Sequence, residues 1–109
     1  MATKANLVID QGTTFSTTLT LTNENGDLIN LSGYISNCQI RKHYTSSTAT
    51  TVNTSINTES SVITLSLNAD ETSNIVAGRY VYDVEITSSA NVTSRIVEGI
   101  VTVTPEVTK

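Results

Sequence analysis

The residues of this chain that could do chemistry are concentrated in the segment SNIVAGRYVYDVEIT, residues 73–87. The segment holds an acidic pair, Asp83 and Glu85, and two of the chain's four tyrosines. Two carboxyl groups can hydrolyse a glycoside when they face each other across a cleft, about 5–10 Å apart. In a strand, however, residues two apart point to the same side of the sheet. The spacing therefore favours an exposed strand that contacts a partner, and we assign no catalytic residue.

Two arginines are the expected partners of these acids. Arg79 lies on the same face of the predicted strand, and Arg95 lies on the strand that follows it. Exposed cross-strand ion pairs of this kind contribute at most about 1 kcal/mol each. We therefore predict a charged, partner-facing surface made of Asp83, Glu85, Arg79 and Arg95.

Other nucleophiles and metal ligands are sparse. His43 is the only histidine and Cys38 the only cysteine, whereas a zinc site needs three or four such ligands. The G-x-S-x-G pattern of a nucleophile elbow does not occur. We predict neither a metal nor any other cofactor, and we expect His43 on the surface and Cys38 buried as a small apolar residue.

The charge of the chain excludes one class of partner. The net charge is −4 and the isoelectric point is about 4.7, so a phosphate backbone is repelled and nucleic-acid binding is not expected. No apolar run approaches the ~18 residues of a membrane span. The N-terminal residues MATKANLVIDQG lack the apolar core of a signal peptide. We expect a soluble protein, made in a cytoplasm, without membrane contact.

Composition and periodicity both predict an all-β chain. The 20 Thr residues favour strands, while the 13 Ser and 10 Asn residues favour turns. Apolar and polar residues alternate in about seven or eight segments, separated by turns at the spacing of a sandwich. The length and the unbroken pattern predict a single domain over residues 1–109. We also predict a turn at Asn25–Gly26 and a bulge at Gly99.

One helical turn interrupts the strands. Asn68 and Glu71 have the spacing of a capping box, in which each residue bonds the backbone of the other. Acidic residues are also favourable in a first helical turn. We therefore predict a short helical turn over residues 69–75.

The strand after this turn begins with a structural signature. Gly78 precedes Tyr80, which the alternation directs inward together with Tyr82. In immunoglobulin-like sandwiches such a tyrosine closes a corner by bonding the backbone a few residues upstream, here within residues 70–77. The sequence thus predicts an immunoglobulin-like antiparallel β-sandwich, without the Trp and the cysteine pair of antibody domains.

The predicted sheet edges are poorly protected by charge. Natural edge strands are usually guarded, above all by lysine, but this chain has only three lysines, at positions 4, 42 and 109. Edges of this kind suit repeated assembly by strand addition or side-by-side packing. A homo-oligomer is therefore one expected partner arrangement.

Several segments, taken in order, resemble one family of phage proteins. They are the opening LVIDQGTTFSTTLTLTNENGDLINLSGY, the central CQIRK, the block ITLSLNADETSNIVAGRYVYDVEI and the closing RIVEGIVTVTPEVT. Over nearly the whole chain they resemble the N-terminal domain of bacteriophage baseplate upper proteins and short virion structural proteins of tailed marine phages.

The resemblance implies an immunoglobulin-like module for assembly or decoration, with no catalysis. Baseplate upper proteins continue into domains that hold receptor-binding proteins, whereas this sequence is expected to form one sandwich only. The implied partners are other virion proteins, of the tail, the baseplate or the capsid, including the major capsid protein. The implied location is the virion, after synthesis in the host cytoplasm. A host-receptor or carbohydrate-binding module on the virion is the alternative.

Overall fold

The computed structural model describes residues 3–22 and 26–107. Its elements are β1 (Thr3–Lys4), β2 (Leu7–Asp10), β3 (Phe15–Thr20), β4 (Ile35–Arg41), β5 (Thr50–Asn57), β6 (Val62–Leu67), α1 (Ala69–Ser73), β7 (Gly78–Thr87) and β8 (Thr93–Thr104). The prediction of an all-β chain is therefore confirmed. The predicted turn at Asn25–Gly26 lies partly outside the described residues, which begin again at Gly26.

The strands form one curled sheet. Their order is β1-β8-β7-β4-β5-β6-β3, and β2 also pairs with β8. β1 and β2 run parallel to β8, whereas the other neighbours are antiparallel. β5 pairs with β4 near its start, as in Cys38↔Val52, and with β6 towards its end, as in Asn57↔Val62. Because this strand changes partner along its length, the sheet turns a corner there.

The inner side of the curl is the hydrophobic core. Burial alternates along most strands, as in β6, where Ile63, Leu65 and Leu67 are at most 1% exposed. Val84 of β7 and Val101 of β8 are fully buried on the opposite wall. The period-two pattern of the sequence thus determines which side chains remain on the outer face.

Helix α1 begins where the sequence predicts it. The Asn68 side chain accepts a hydrogen bond from the Glu71 N–H at 2.8 Å, and the Glu71 carboxylate accepts one from the Asn68 N–H at 2.9 Å. This reciprocal pair is the predicted capping box. The helix ends earlier than predicted, at Ser73, because Ile75 turns into the core, where it is 4% exposed.

The link between β1 and β2 runs beside β8 and comes closest to it at Gly99. The Ala5 N–H donates to the Glu98 carbonyl at 2.9 Å, and the Tyr82 hydroxyl donates to the Ala5 carbonyl at 2.6 Å. A Cβ atom at Gly99 would collide with that same carbonyl oxygen of Ala5. Gly99 is therefore required by the close approach of two backbones.

The predicted bulge at Gly99 is wrong, because the extra residue of β8 lies three positions earlier. The register with β7 shifts between Val84 and Glu85, and Ile96 is the residue left over. Ile96 packs against the core, whereas Arg95 pairs with Glu85 and is exposed. A bulge in one strand redirects the side chains that precede it.

We expect Gly99→Ala to lower the free energy of unfolding by about 2 kcal/mol, since the new methyl group must displace the Ala5 backbone. Urea unfolding followed by circular dichroism measures the change. Ser94→Ala, at an exposed position of the same strand, is the matched control and should change stability by less than about 0.5 kcal/mol. Equal stability of Gly99→Ala and the unmodified chain would contradict the close approach.

Cys38 should be inert in the folded chain. It is 2% exposed, and burial, together with the negative charge of Asp83, raises the pKa of its thiol to about 12. Because the thiolate is the reactive form, we expect no alkylation by iodoacetamide at pH 8, and full alkylation in urea. In the unfolded chain the thiol ionises at about pH 8.5. The stability that the buried, neutral thiol of Cys38 contributes is therefore complete below that pH, and it is lost as the pH rises towards 12. Rapid alkylation of the native chain at pH 8 would contradict this assignment.

Candidate functional site

A groove of about 360 Å³ lies on the outer side of β4, β7 and β8. Charged and polar side chains dominate it, and the loop after β4 forms one wall. The lining residues are Gln39, Arg41, Tyr44, Val81, Tyr82, Asp83, Glu85, Arg95 and Glu98. We refer to it as the charged groove.

Alternation in β4 and β7 brings the polar side chains to this outer face. Cys38 and Tyr82 point into the core, where they are 2% and 4% exposed, so their neighbours point outward. The register pairs Gln39 with Asp83 and Asp83 with Glu98. A row of polar side chains therefore crosses three strands of the sheet.

Arg95 occupies the centre of the charged groove. Its Nε lies 3.2 Å from Asp83 Oδ2, and its Nη1 lies 3.6 Å from Glu98 Oε2. The two carboxylates are directly opposite each other on neighbouring strands, which is unfavourable unless a cation lies between them. Strict alternation from the buried Val97 would direct Arg95 towards the core. The extra residue Ile96 reverses that direction, so the bulge assembles the cluster.

Arg41 holds the loop that forms one wall of the charged groove. Its guanidinium donates to the Ser46 carbonyl and, at 3.0 Å, to Gln39 Oε1. His43 and Ser46 are joined by two hydrogen bonds, of 3.0 Å between backbone groups and of 2.9 Å from the His43 N–H to the Ser46 hydroxyl. Tyr44, within this turn, is 76% exposed. An exposed phenol ring beside charged groups is typical of a contact surface.

The charged groove has one negative charge in excess. Asp83, Glu85 and Glu98 provide three carboxylates, whereas Arg41 and Arg95 provide two guanidinium groups. Glu85 lies opposite Arg95 in the register, but Arg95 pairs with the other two acids. Among the described residues no cation forms an ion pair with Glu85, so its carboxylate is available to a partner.

The layer beneath the groove is neutral and tightly bonded. Burial first, and the neighbouring Cys38 second, raise the pKa of Tyr82 to about 12. The Tyr82 hydroxyl therefore keeps its proton at neutral pH and donates it to the Ala5 carbonyl at 2.6 Å. The groove thus presents its charges over a rigid floor.

Arg79 does not reach the charged groove. It pairs with Thr102 in the register, on the same face as Asp83 but four residues earlier, a separation of about 13 Å along a strand. In the ranges 3–22 and 26–107, no carboxylate forms an ion pair with Arg79. The structure therefore brings Asp83, Glu85 and Arg95 together and leaves Arg79 apart.

Gly78 and Tyr80 form a separate feature at the start of β7. Gly78 has φ +148°, a conformation that residues with a side chain rarely adopt. The Tyr80 hydroxyl donates to the Val76 carbonyl at 2.5 Å, within the predicted range 70–77. The Lys42 ammonium lies 4.9 Å from the centre of the Tyr80 ring, in a cation–π contact. These contacts tie the segment after α1 to β7.

Among the residues that line the groove, sequence reasoning missed Gln39, Arg41, Tyr44 and Glu98. Gln39 and Arg41 alternate with buried residues, so their outward direction was visible, but not their neighbours on β7. Tyr44 carried no signal beyond its place at a strand end. Glu98 follows Arg95 by three residues, a spacing that puts two side chains on opposite faces of a regular strand. Only the bulge places them on one face.

The part of the chain that the structure describes holds no group of three His, Cys, Asp or Glu side chains that could bind a metal ion. Each buried side-chain nitrogen or oxygen there has a hydrogen-bond partner. No helix in these residues is long and apolar enough to cross a membrane. The charged groove is therefore the candidate site.

No family model matches the chain, and no curated protein matches it. Among solved structures, it is similar to an internalin-like protein of Listeria monocytogenes, with a TM-score of 0.52 over 94% of this chain and 20% sequence identity. This chain spans 28% of the length of that structure. At this identity the similarity concerns the fold alone.

Proposed function

We propose that this chain is a non-enzymatic structural protein of a bacteriophage virion, present in many copies on the tail, the baseplate or the capsid surface. The observation that carries the proposal is the presence of two unlike contact surfaces on one small β-sheet. One is the charged groove, with its available Glu85 carboxylate, and the other is the uncharged edge of β3, whose sequence is FSTTLT. A subunit placed among several virion proteins needs more than one surface that is open to a neighbour. The sequence resemblance to phage virion proteins supports the same proposal.

The finer form of the fold belongs to this proposal. We infer that the curled sheet is an immunoglobulin-like β-sandwich, with β5 passing from one layer to the other. The bond from the Tyr80 hydroxyl to the Val76 carbonyl supports this inference, because such sandwiches use a tyrosine in that way. The parallel pairing of β1 and β2 with β8 is compatible with it.

In this proposal the charged groove docks on another virion protein. Its excess negative charge and the free Glu85 carboxylate favour a partner segment that carries Lys or Arg. The Asp83–Arg95–Glu98 cluster adds donors and acceptors in a fixed arrangement. The protein is made in the host cytoplasm and assembles into the virion, and it requires neither nucleic acid, membrane nor cofactor.

A host-receptor or carbohydrate-binding module on the virion is the second candidate, and Tyr44 favours it. The side chain is 76% exposed and lines the groove together with Gln39 and Asp83, and an aromatic ring among planar polar groups can bind a sugar. A glycan array distinguishes the two candidates. Binding by the unmodified chain that is lost in Tyr44→Ala would favour the second one.

We expect mass spectrometry of purified particles of the phage that encodes this chain to detect it. Quantification against the major capsid protein then locates it, because symmetric assembly fixes copy number. Hundreds of copies indicate the capsid surface, whereas roughly six to a few dozen indicate the tail or baseplate. Absence from purified particles would refute the proposal.

The same particles test the groove. We expect Glu85→Lys to reduce incorporation by about tenfold, equivalent to ~1.4 kcal/mol, because it reverses the charge offered to the partner. Glu59→Lys, an exposed position in the turn after β5, makes the same charge change elsewhere and should incorporate normally. Equal incorporation of both variants would exclude the groove as the docking surface while leaving the virion location intact.

A further inference from the structure

Strand β3 is a terminal strand of the sheet with one unpaired side. It pairs with β6 along its whole length, from Phe15↔Leu67 to Thr20↔Val62. On its other side no strand of residues 3–22 or 26–107 forms a ladder with it. An unpaired side of this kind presents backbone donors and acceptors to a further strand.

Antiparallel geometry identifies the backbone groups on the unpaired side. The N–H of Leu21, which continues the register of β3, donates to the Ser61 carbonyl next to β6 at 2.9 Å. Backbone groups of successive residues alternate between the two sides of a strand. The N–H and C=O groups of Ser16, Thr18 and Thr20 therefore point away from β6, towards the free side.

The β3 edge lacks the usual protection against pairing. Its sequence, FSTTLT, contains no charged residue and no proline, although natural edge strands commonly use lysine, proline or bulges. The other end of the sheet differs, because its edge is divided between two short strands that each carry an exposed charge: β1, of two residues, carries Lys4, and β2, of four residues, carries Asp10. The contrast leaves β3 as the end of the sheet that is open to a new strand.

An apolar opening lies beside this edge, between β3 and β1. A space of about 450 Å³ there is lined only by uncharged residues, among them Leu19, Ile29 and Ile96. These three are partly buried and pack against the core. A strand laid along β3 would cover the opening and remove apolar surface from water.

We propose that β3 of one copy pairs antiparallel with β3 of a second copy about a two-fold axis. When the two-fold axis passes between the two Thr18 residues, Thr18 pairs with Thr18 of the second copy, and Ser16 pairs with Thr20 of the second copy. All three residues with free backbone groups then form hydrogen-bonded pairs, with about six bonds in total. A pairing centred on Thr17 would use only two such pairs, so the Thr18 centre is favoured.

Side chains agree with this register on both faces. Outside, hydroxyl groups of Ser and Thr meet hydroxyl groups, a favourable cross-strand combination. Inside, Thr17 meets Leu19 and Phe15 meets Leu21 of the second copy, which extends the apolar face across the axis. No like charges meet, so a second copy of this same chain fits the edge.

The predicted dimer is weak in solution. A six-residue strand spans about 20 Å, and such an edge buries less than the ~800 Å² per partner of stable complexes. Its role rests on the proposed function: where a particle holds many copies side by side, the high effective concentration makes a weak pair persist. The contact would then join neighbouring copies on the virion surface.

Cysteine cross-linking tests the register. Directly paired residues lie about 5.5 Å apart at Cα, within the range of a disulfide. We expect Thr18→Cys to form a disulfide-linked dimer under mild oxidation at least tenfold faster than Ser55→Cys. Ser55 is the matched control, because it lies in the same cross-strand row through Thr64 but two strands from the edge. Equal rates for the two variants would overturn the proposed register.

Sedimentation tests the dimer independently. The dimer fraction of the unmodified chain should rise between about 10 μM and 1 mM. Thr18→Lys places two like charges on the axis and should abolish the dimer, whereas Ser55→Lys should keep it, with folding of both variants checked by circular dichroism. A chain that stays monomeric throughout, or equal dimerisation of both variants, would overturn the proposal. A monomeric chain would leave the edge to a strand of a different protein.

The particle analysis separates this inference from the proposed function. A chain that is monomeric yet present in purified virions would refute the β3 pairing and retain the virion role. A chain that forms the β3 dimer but is absent from virions would retain the β3 pairing and refute the virion role.

Discussion

The close approach of Ala5 to Gly99 is the constraint on which the rest of the architecture depends. Only a glycine leaves room for the Ala5 carbonyl, which the Tyr82 hydroxyl then bonds from the core side at 2.6 Å. The contact holds β1 and β2 beside β8, with which both strands pair. Neither of these strands pairs with β3. The sheet therefore curls without closing, and its far end stays open.

Strand β8 also determines the outer face of the sheet. The extra residue Ile96 lies only three positions before Gly99, so the bulge and the close approach of Ala5 lie within four residues of one strand. The bulge directs Arg95 outward, between Asp83 and Glu98, and thereby creates the charged groove. An uninterrupted β8 would direct Arg95 into the core and leave two carboxylates facing each other without a cation.

Local patterns were predictable from the sequence, and long-range pairings were not. Two features depend only on residues that are close in sequence, and both could be predicted: the capping box of Asn68 and Glu71, and the alternating burial of β6. The bulge at Ile96 does not, because its position depends on how β8 aligns with β7. Gly99 looked like a bulge since a glycine in a strand has two explanations, and only the path of Ala5 distinguishes them.

The separation of the two contact surfaces explains how a chain with a net charge of −4 could pack against its own copies. The excess charge of the groove lies on the outer face of β4, β7 and β8, and β4 is three strands away from β3 in the sheet order. The opening beside β3 is lined by uncharged residues only, and β3 itself carries no charge. A pairing at β3 therefore brings no like charges into contact. The charged groove would select the foreign partner, whereas the uncharged backbone and hydroxyl groups of β3 would pair two copies of this chain.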